Sequence, residues 1–236
     1  MFELLSFGPT GWGDEMLRGA GVTIAVALLS YAVGILLGSL AAAAKLAGGP
    51  VLRAVAGTYT VVVRGVPALL IIWLLFFGGA GLVTWVAGVF GYGGRVELSA
   101  FAVGVAAVGI VSGAYSAEVI RGAVQAVPKG QIEAALSLGM HRFLILRRVL
   151  IPQALRFALP GLGNVWQLTL KDTALVSVTA LAELMRTAHV AAGATRDPFT
   201  FYVAAAVIYM ALTTGSEAAF RWAERRSERG VRRVAG

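Results

Sequence analysis

Apolar residues in this chain fall in long unbroken runs, not in the short alternating patterns of a soluble fold. Five runs reach the roughly 20 residues that a helix needs to cross a hydrocarbon core of about 30 Å. They cover 20–44, 54–77, 98–117, 155–180 and 199–220. The first and third carry no charge, and Glu118 directly follows the third. The second carries only Arg64, and the fifth only Glu217 near its end. The fourth holds Arg156 near its start and the neighbours Lys171 and Asp172 deep inside. A sixth apolar stretch, Trp85–Phe90, is too short to span. The pattern predicts an all-α integral membrane protein with five transmembrane helices, forming one membrane domain over 1–236 without a soluble linker or an internal repeat.

Between the third and fourth runs the pattern changes. Segment 121–152 is charged yet helix-forming. After Pro128, which suits a helix start, Ile132, Ala135 and Leu136 share one face at helical spacing. Glu133 lies near the helix N-terminus, where the dipole favours a negative charge. Gly139 stands where a C-terminal cap belongs. A second short helix follows, with Phe143, Leu146 and Leu150 apolar and Arg142, Arg147 and Arg148 polar, and Pro152 begins the next element. A plain connection needs only a few residues, so something uses the extra length. Pattern alone leaves two uses open: lying on lipid headgroups or docking a partner.

Composition sharpens this picture. The chain is 58% hydrophobic and only 14% charged, with a mean hydropathy of +0.80. A soluble domain would need a far more polar surface. The formal charge of +8 does not mark a nucleic-acid binder, because the basic residues flank apolar blocks. With the N-terminus outside, 14 of the 20 Lys and Arg residues fall in cytoplasmic segments. Arg18, Arg95, Arg186 and Arg196 stay outside. This bias predicts a periplasmic N-terminus, with segment 121–152 and the C-terminus cytoplasmic. The opening "MFELLSFGPTGWGDEM" has no positive charge, so the first span reads as retained and not as a cleaved signal. The tail "RWAERRSERGVRRVAG" reads as a fraying helix end held beside anionic lipid.

Missing chemistry narrows the function. No phosphate loop of the form GxxxxGK[ST] exists, and "GILLGS" at 34–39 lacks the lysine. Any ATP-driven work needs another polypeptide. With two histidines and no cysteine, no metal site or cofactor is expected. An intramembrane serine hydrolase could draw on Ser112 or Ser116, but the available base, His189, lies outside the span. A non-transporting scaffold has no use for Arg64, Lys171 and Asp172, because charge within a bilayer costs at least ~2.5 kcal/mol per residue. These three are the candidate substrate-binding residues. Arg64 could grip a carboxylate or pair with Glu118 or Asp172, and the other two could instead form a structural pair. Glu118 could also simply reach cytoplasmic water. The pairs Gly34/Gly38, Gly109/Gly113 and Ala211/Gly215 permit close helix packing.

The motifs themselves carry a family resemblance. "EAA" at 133–135, Gly139 and "VLIP" at 149–152 resemble the cytoplasmic loop of bacterial ABC-importer permeases. "RGVP" at 64–67, "GAYSAEVIRGAVQAVPKGQIEAA" at 113–135 and "LKDTALVSV" at 170–178 resemble the polar amino-acid uptake branch. "AAGATRDPFTFY" at 191–202 is similar to its histidine, basic amino-acid and opine permeases. The resemblance implies a type I permease fold in the bacterial inner membrane, serving ATP-driven import of amino acids or opines. It implies coupling to a cytoplasmic ATPase dimer through Glu133, Ala134, Ala135 and Gly139. It also implies a second homologous permease subunit, or a homodimer, and a periplasmic amino-acid-binding protein.

Overall fold

The computed structural model describes residues 3–8, 11–94, 97–179 and 181–227. Arg95, Ala180 and the tail from 228 onward, all part of the predictions above, lie outside the described residues. Those described are helical almost throughout, with no strand among them.

The first helix, α1 (Gly13–Ala47), has 35 residues. At ~1.5 Å per residue it runs about 50 Å, well beyond a hydrocarbon core, and it begins ahead of the predicted span. Asp14 and Glu15 sit in its first turn and Lys45 in its last, as the helix dipole favours. α1 pairs most extensively with α5 (Ala100–Gln125). Glycines permit the approach: a Cβ on Gly34 would lie 2.6 Å from the Ser112 hydroxyl, and one on Gly38 2.6 Å from Ser116 Cβ. Gly109 and Gly113 of α5 face Val33 and Leu37 in turn. Gly215 meets nothing within 4 Å, so the third small-residue pair does not pack within this chain.

The predicted second span is broken. α2 (Pro50–Gly65) ends before Val66, whose backbone is extended at φ −99° and ψ 136°. Pro67 is the reason: its ring pushes the preceding residue out of the helical region, and it has no N–H to continue the ladder. Helix resumes as α3 (Ala68–Trp73), a π-helical turn (Leu74–Gly78) and α4 (Gly79–Val89). The crossing suggested by length and apolarity is therefore Ala68–Val89, which absorbs the stretch judged too short.

α6 (Lys129–Ser137) and α7 (Arg142–Ile145) form the turn-linked pair. A π turn (Leu146–Leu150) leads into α8 (Ile151–Asp172), and the Gln153 side chain donates to the Val149 carbonyl there, at 3.1 Å. Pro152, lacking an N–H, accounts for this local widening. After Asp172 the chain tightens into a 3₁₀ stretch (Thr173–Thr179), then forms α9 (Leu184–Thr195) and α10 (Pro198–Ser227). Among the described residues, α1, 68–89, α5 and α10 are long and apolar enough to cross a membrane. α8 is not, because its predicted span carries a polar face.

Several hydroxyls buried between helices find partners, as a low-dielectric interior favours, while the buried Ser116 hydroxyl has none among the described residues. Thr169 donates to Ser112 at 2.9 Å, Tyr59 to the Ile110 carbonyl at 2.7 Å, and Tyr31 to the Leu162 carbonyl at 3.0 Å.

Candidate functional site: a polar groove and a capped helical turn

α8 packs one face inward through Ala158, Leu162, Val165 and Thr169. Its opposite face presents Pro160, Asn164, Gln167 and Lys171, spaced three and four apart, to a cavity of about 320 Å³. Across it stand Thr213, Glu217, Arg221 and Glu224 of α10. Gln167 Nε2 reaches the Thr213 carbonyl at 3.4 Å, and Glu217 pairs with Arg221 at 2.7 Å. Lys171 also borders a second, more apolar cavity of about 480 Å³ with Tyr202, Tyr209 and Met185. A polar groove between membrane helices is where a hydrophilic solute can be held in a membrane.

The three predicted substrate residues are not brought together. Arg64 is exposed at the end of α2, its guanidinium 5.4 Å from the Tyr115 ring centre. Asp172 is half-buried and borders neither cavity. No hydrogen bond or ion pair joins any two of Arg64, Lys171 and Asp172. Adjacent residues on a helix point about 100° apart, which separates Lys171 from Asp172.

Glu118, expected to reach water or pair with Arg64, has other partners. It binds Lys45 of α1, and Arg121 donates to it from Nη2 at 2.8 Å and Nε at 3.0 Å. Lys45 also donates to Thr60 of α2. This carboxylate and Lys45 together tie three helices beside the turn between α6 and α7. Nothing local in the sequence marks Lys45 as its partner.

In that turn Pro128 is the cap residue immediately before α6, not a member of its first turn. Gly139 has φ +75°, the left-handed region. Its N–H donates to the Leu136 carbonyl at 2.9 Å, and Met140 N–H to that of Ala135 at 3.1 Å, which is the Schellman arrangement. Glu133 and Ala134 are exposed, while Ala135 is buried and anchors the helix. Leu138 and Phe143 project at the tip.

Sequence reasoning missed Glu183. Its carboxylate is fully buried and caps α9, accepting from Met185 N–H at 2.9 Å and Arg186 N–H at 2.7 Å. It also accepts from the Thr23 hydroxyl of α1 and the Tyr209 hydroxyl of α10, at 3.2 and 3.3 Å. The only signal available was an acid just ahead of a helix, which is weak.

No hydrolase constellation forms. Ser112 is engaged by Thr169, and His189 Nδ1 lies 3.0 Å from the Tyr202 hydroxyl. Among the described residues no group of His, Asp and Glu could hold a metal.

The family model described as a binding-protein-dependent transport system inner membrane component matches residues 34–229. The chain belongs to that family. It is 58% identical over 230 residues to the nopaline transport system permease protein NocQ of Agrobacterium fabrum, covering 97% of this chain and 98% of that protein. To the histidine/lysine/arginine/ornithine transport system permease protein HisQ of Escherichia coli it is 37% identical, covering 95% and 98%. A solved amino acid ABC transporter with histidines superposes with a TM-score of 0.77 at 35% identity, over 91% of this chain and 95% of that one. The permease fold expected from the motifs is therefore the fold of this chain. It is a multi-pass inner-membrane transporter subunit, and ATP hydrolysis in such systems resides in a separate chain. Transporters of this family also work with a substrate-binding protein.

Proposed function

We propose that this permease forms half of the translocation pathway of an ATP-driven importer for amino acids or opines. The polar groove between α8 and α10 carries this reading, because a hydrophilic wall along a span suits a zwitterionic solute. Lys171 stands where it can meet a carboxylate. Arg64 and Asp172 are proposed to join it once a second permease subunit, homologous or identical, closes the pathway. The exposed apolar residues Leu74, Phe77 and Trp85 support burial of the 68–89 helix by that subunit or by lipid. α8 is proposed as the fifth crossing, with the N-terminus periplasmic and the C-terminus cytoplasmic. Glu133 and Ala134 would meet a cytoplasmic ATPase dimer, with Ala135 and Gly139 holding their helix in place, and a periplasmic amino-acid-binding protein would deliver substrate.

The test is uptake by the assembled transporter in proteoliposomes, with ATP inside and binding protein outside. ATP-dependent accumulation of arginine, histidine or nopaline is expected. Failure to import any amino acid or opine, with brisk import of a solute lacking both carboxylate and amine, would overturn the substrate class.

A further inference from the structure

The helix pair between α5 and α8 has two faces, and only one carries the motif residues. Glu133, Ala134 and Ser137 lie on the exposed side of α6, with Leu138 at the turn. Lys129, Ile132 and Leu136, at helical spacing on the other side, line a hollow of about 760 Å³. The hollow is bounded by Val127 after α5, and by Arg142 and Leu146 of the second arm. Glu133 and Ala134 do not line this hollow.

We propose that the hollow binds an anionic phospholipid, its phosphate held between Lys129 and Arg142 and an acyl chain laid over the apolar floor. Two observations and the proposed placement converge. The floor of Val127, Ile132, Leu136 and Leu146 is apolar, as a chain requires. The two cations form no ion pair among the described residues, and no acid lines the cavity. With α5 and α8 crossing as proposed above, the opening would lie where α5 leaves the apolar layer and α8 re-enters it, the depth at which a lipid's phosphate and acyl chain meet. Basic pockets between spans on the cytoplasmic side take anionic headgroups for this reason. A neutral lipid would leave both cations uncompensated. An ATPase segment would need an acidic side chain and would have to reach bilayer depth. The inference rests on the cytoplasmic placement proposed above. A bound lipid would wedge α6 away from Leu146 and so make the angle of the coupling arm depend on membrane charge.

The test uses the complete transporter, purified with its ATPase and examined by native mass spectrometry after exposure to phosphatidylglycerol or phosphatidylcholine. Wild type is expected to retain phosphatidylglycerol selectively. Lys129→Gln with Arg142→Gln should lower that retention on the order of tenfold. Leu136→Trp, which fills the hollow without changing charge, should lower it too. Arg18→Gln with Arg186→Gln, removing equal charge from the predicted periplasmic side, should leave it unchanged. Equal retention by the Lys129/Arg142 variant, equal loss in the Arg18/Arg186 variant, or equal retention of both lipids overturns the proposal. If Leu136→Trp instead releases the ATPase while phosphatidylglycerol stays bound, the hollow seats the ATPase and the proposal is wrong. Site-directed labelling from the two sides of the membrane reports the placement separately, so a misplaced segment is distinguishable from a hollow that binds no lipid.

Discussion

Gly139 is dictated by backbone conformation alone. A Cβ there would meet nothing within 4 Å, but φ +75° is a region that side chains resist. The left-handed conformation costs an ordinary residue about 1–2 kcal/mol, and a β-branched one more. Gly139→Val is expected to insert normally yet import about tenfold more slowly, the change that ~1.4 kcal/mol brings. Gly139→Asn should restore much of the rate, because asparagine tolerates this conformation. Wild-type uptake by Gly139→Val, measured beside membrane levels of the protein, would count against a coupling role for the turn. Lys171 poses a different question, since it borders two cavities. Lys171→Met is expected to weaken apparent substrate affinity by roughly 30-fold or more, as loss of a hydrogen-bonded charge does. Asp172→Asn should weaken affinity too if its carboxylate meets an ammonium. A stable Asp172→Asn transporter with unchanged affinity refutes that role.

Helix ends decide much at the next scale. α10 starts at Pro198 behind Asp197, whose Oδ1 accepts from Thr200 N–H at 3.2 Å and Oδ2 from the Thr200 hydroxyl at 2.7 Å. These two hydrogen bonds hold the Asp197 carboxyl below the usual carboxylate range. The ionised form is thus favoured in the folded state. Its contribution is complete above the unfolded pKa and is lost as pH falls through the depressed folded value. Asp197→Asn should keep the cap yet remove this part of the acid dependence, read from thermal unfolding in detergent between neutral pH and about pH 3. An unchanged acid dependence would mean that the cap does not contribute. The break between α2 and α3 was equally local: "RGVP" contains the proline that enforces it, although hydropathy across 54–77 shows no interruption.

For the whole molecule, orientation and division of labour are the testable properties. Cysteines at Phe7 and Ser227, both flanking the helical body, should react from opposite sides of intact cells, with Phe7 outside. Reaction of both from outside would overturn the topology. Purified alone in liposomes, the permease should hydrolyse no ATP, and adding the ATPase subunit should supply that activity. Robust hydrolysis by the permease alone would break the proposed division. The Lys45–Glu118–Arg121 network belongs to this scale, because it joins α1, α2 and α5 beside the arm proposed to receive the ATPase.

Hydropathy runs, the positive-charge bias and the motif order were enough to reveal a helical membrane permease. These are local or additive properties, set by what each stretch must do in lipid or water. The glycine cap at Gly139 was legible for the same reason, since a Schellman turn is built from consecutive residues. Tertiary packing alone decided the rest. Whether Lys171 and Asp172 face one cavity depends on helix rotation and on which helix lies opposite. One partner of Glu118, Lys45, lies 73 residues away on another helix. Beyond its local cap on α9, Glu183 draws its side-chain partners from Thr23 and Tyr209, which the chain delivers from two distant helices. A buried charge in lipid must find partners wherever the bundle places them, and that placement is a property of the assembled helices.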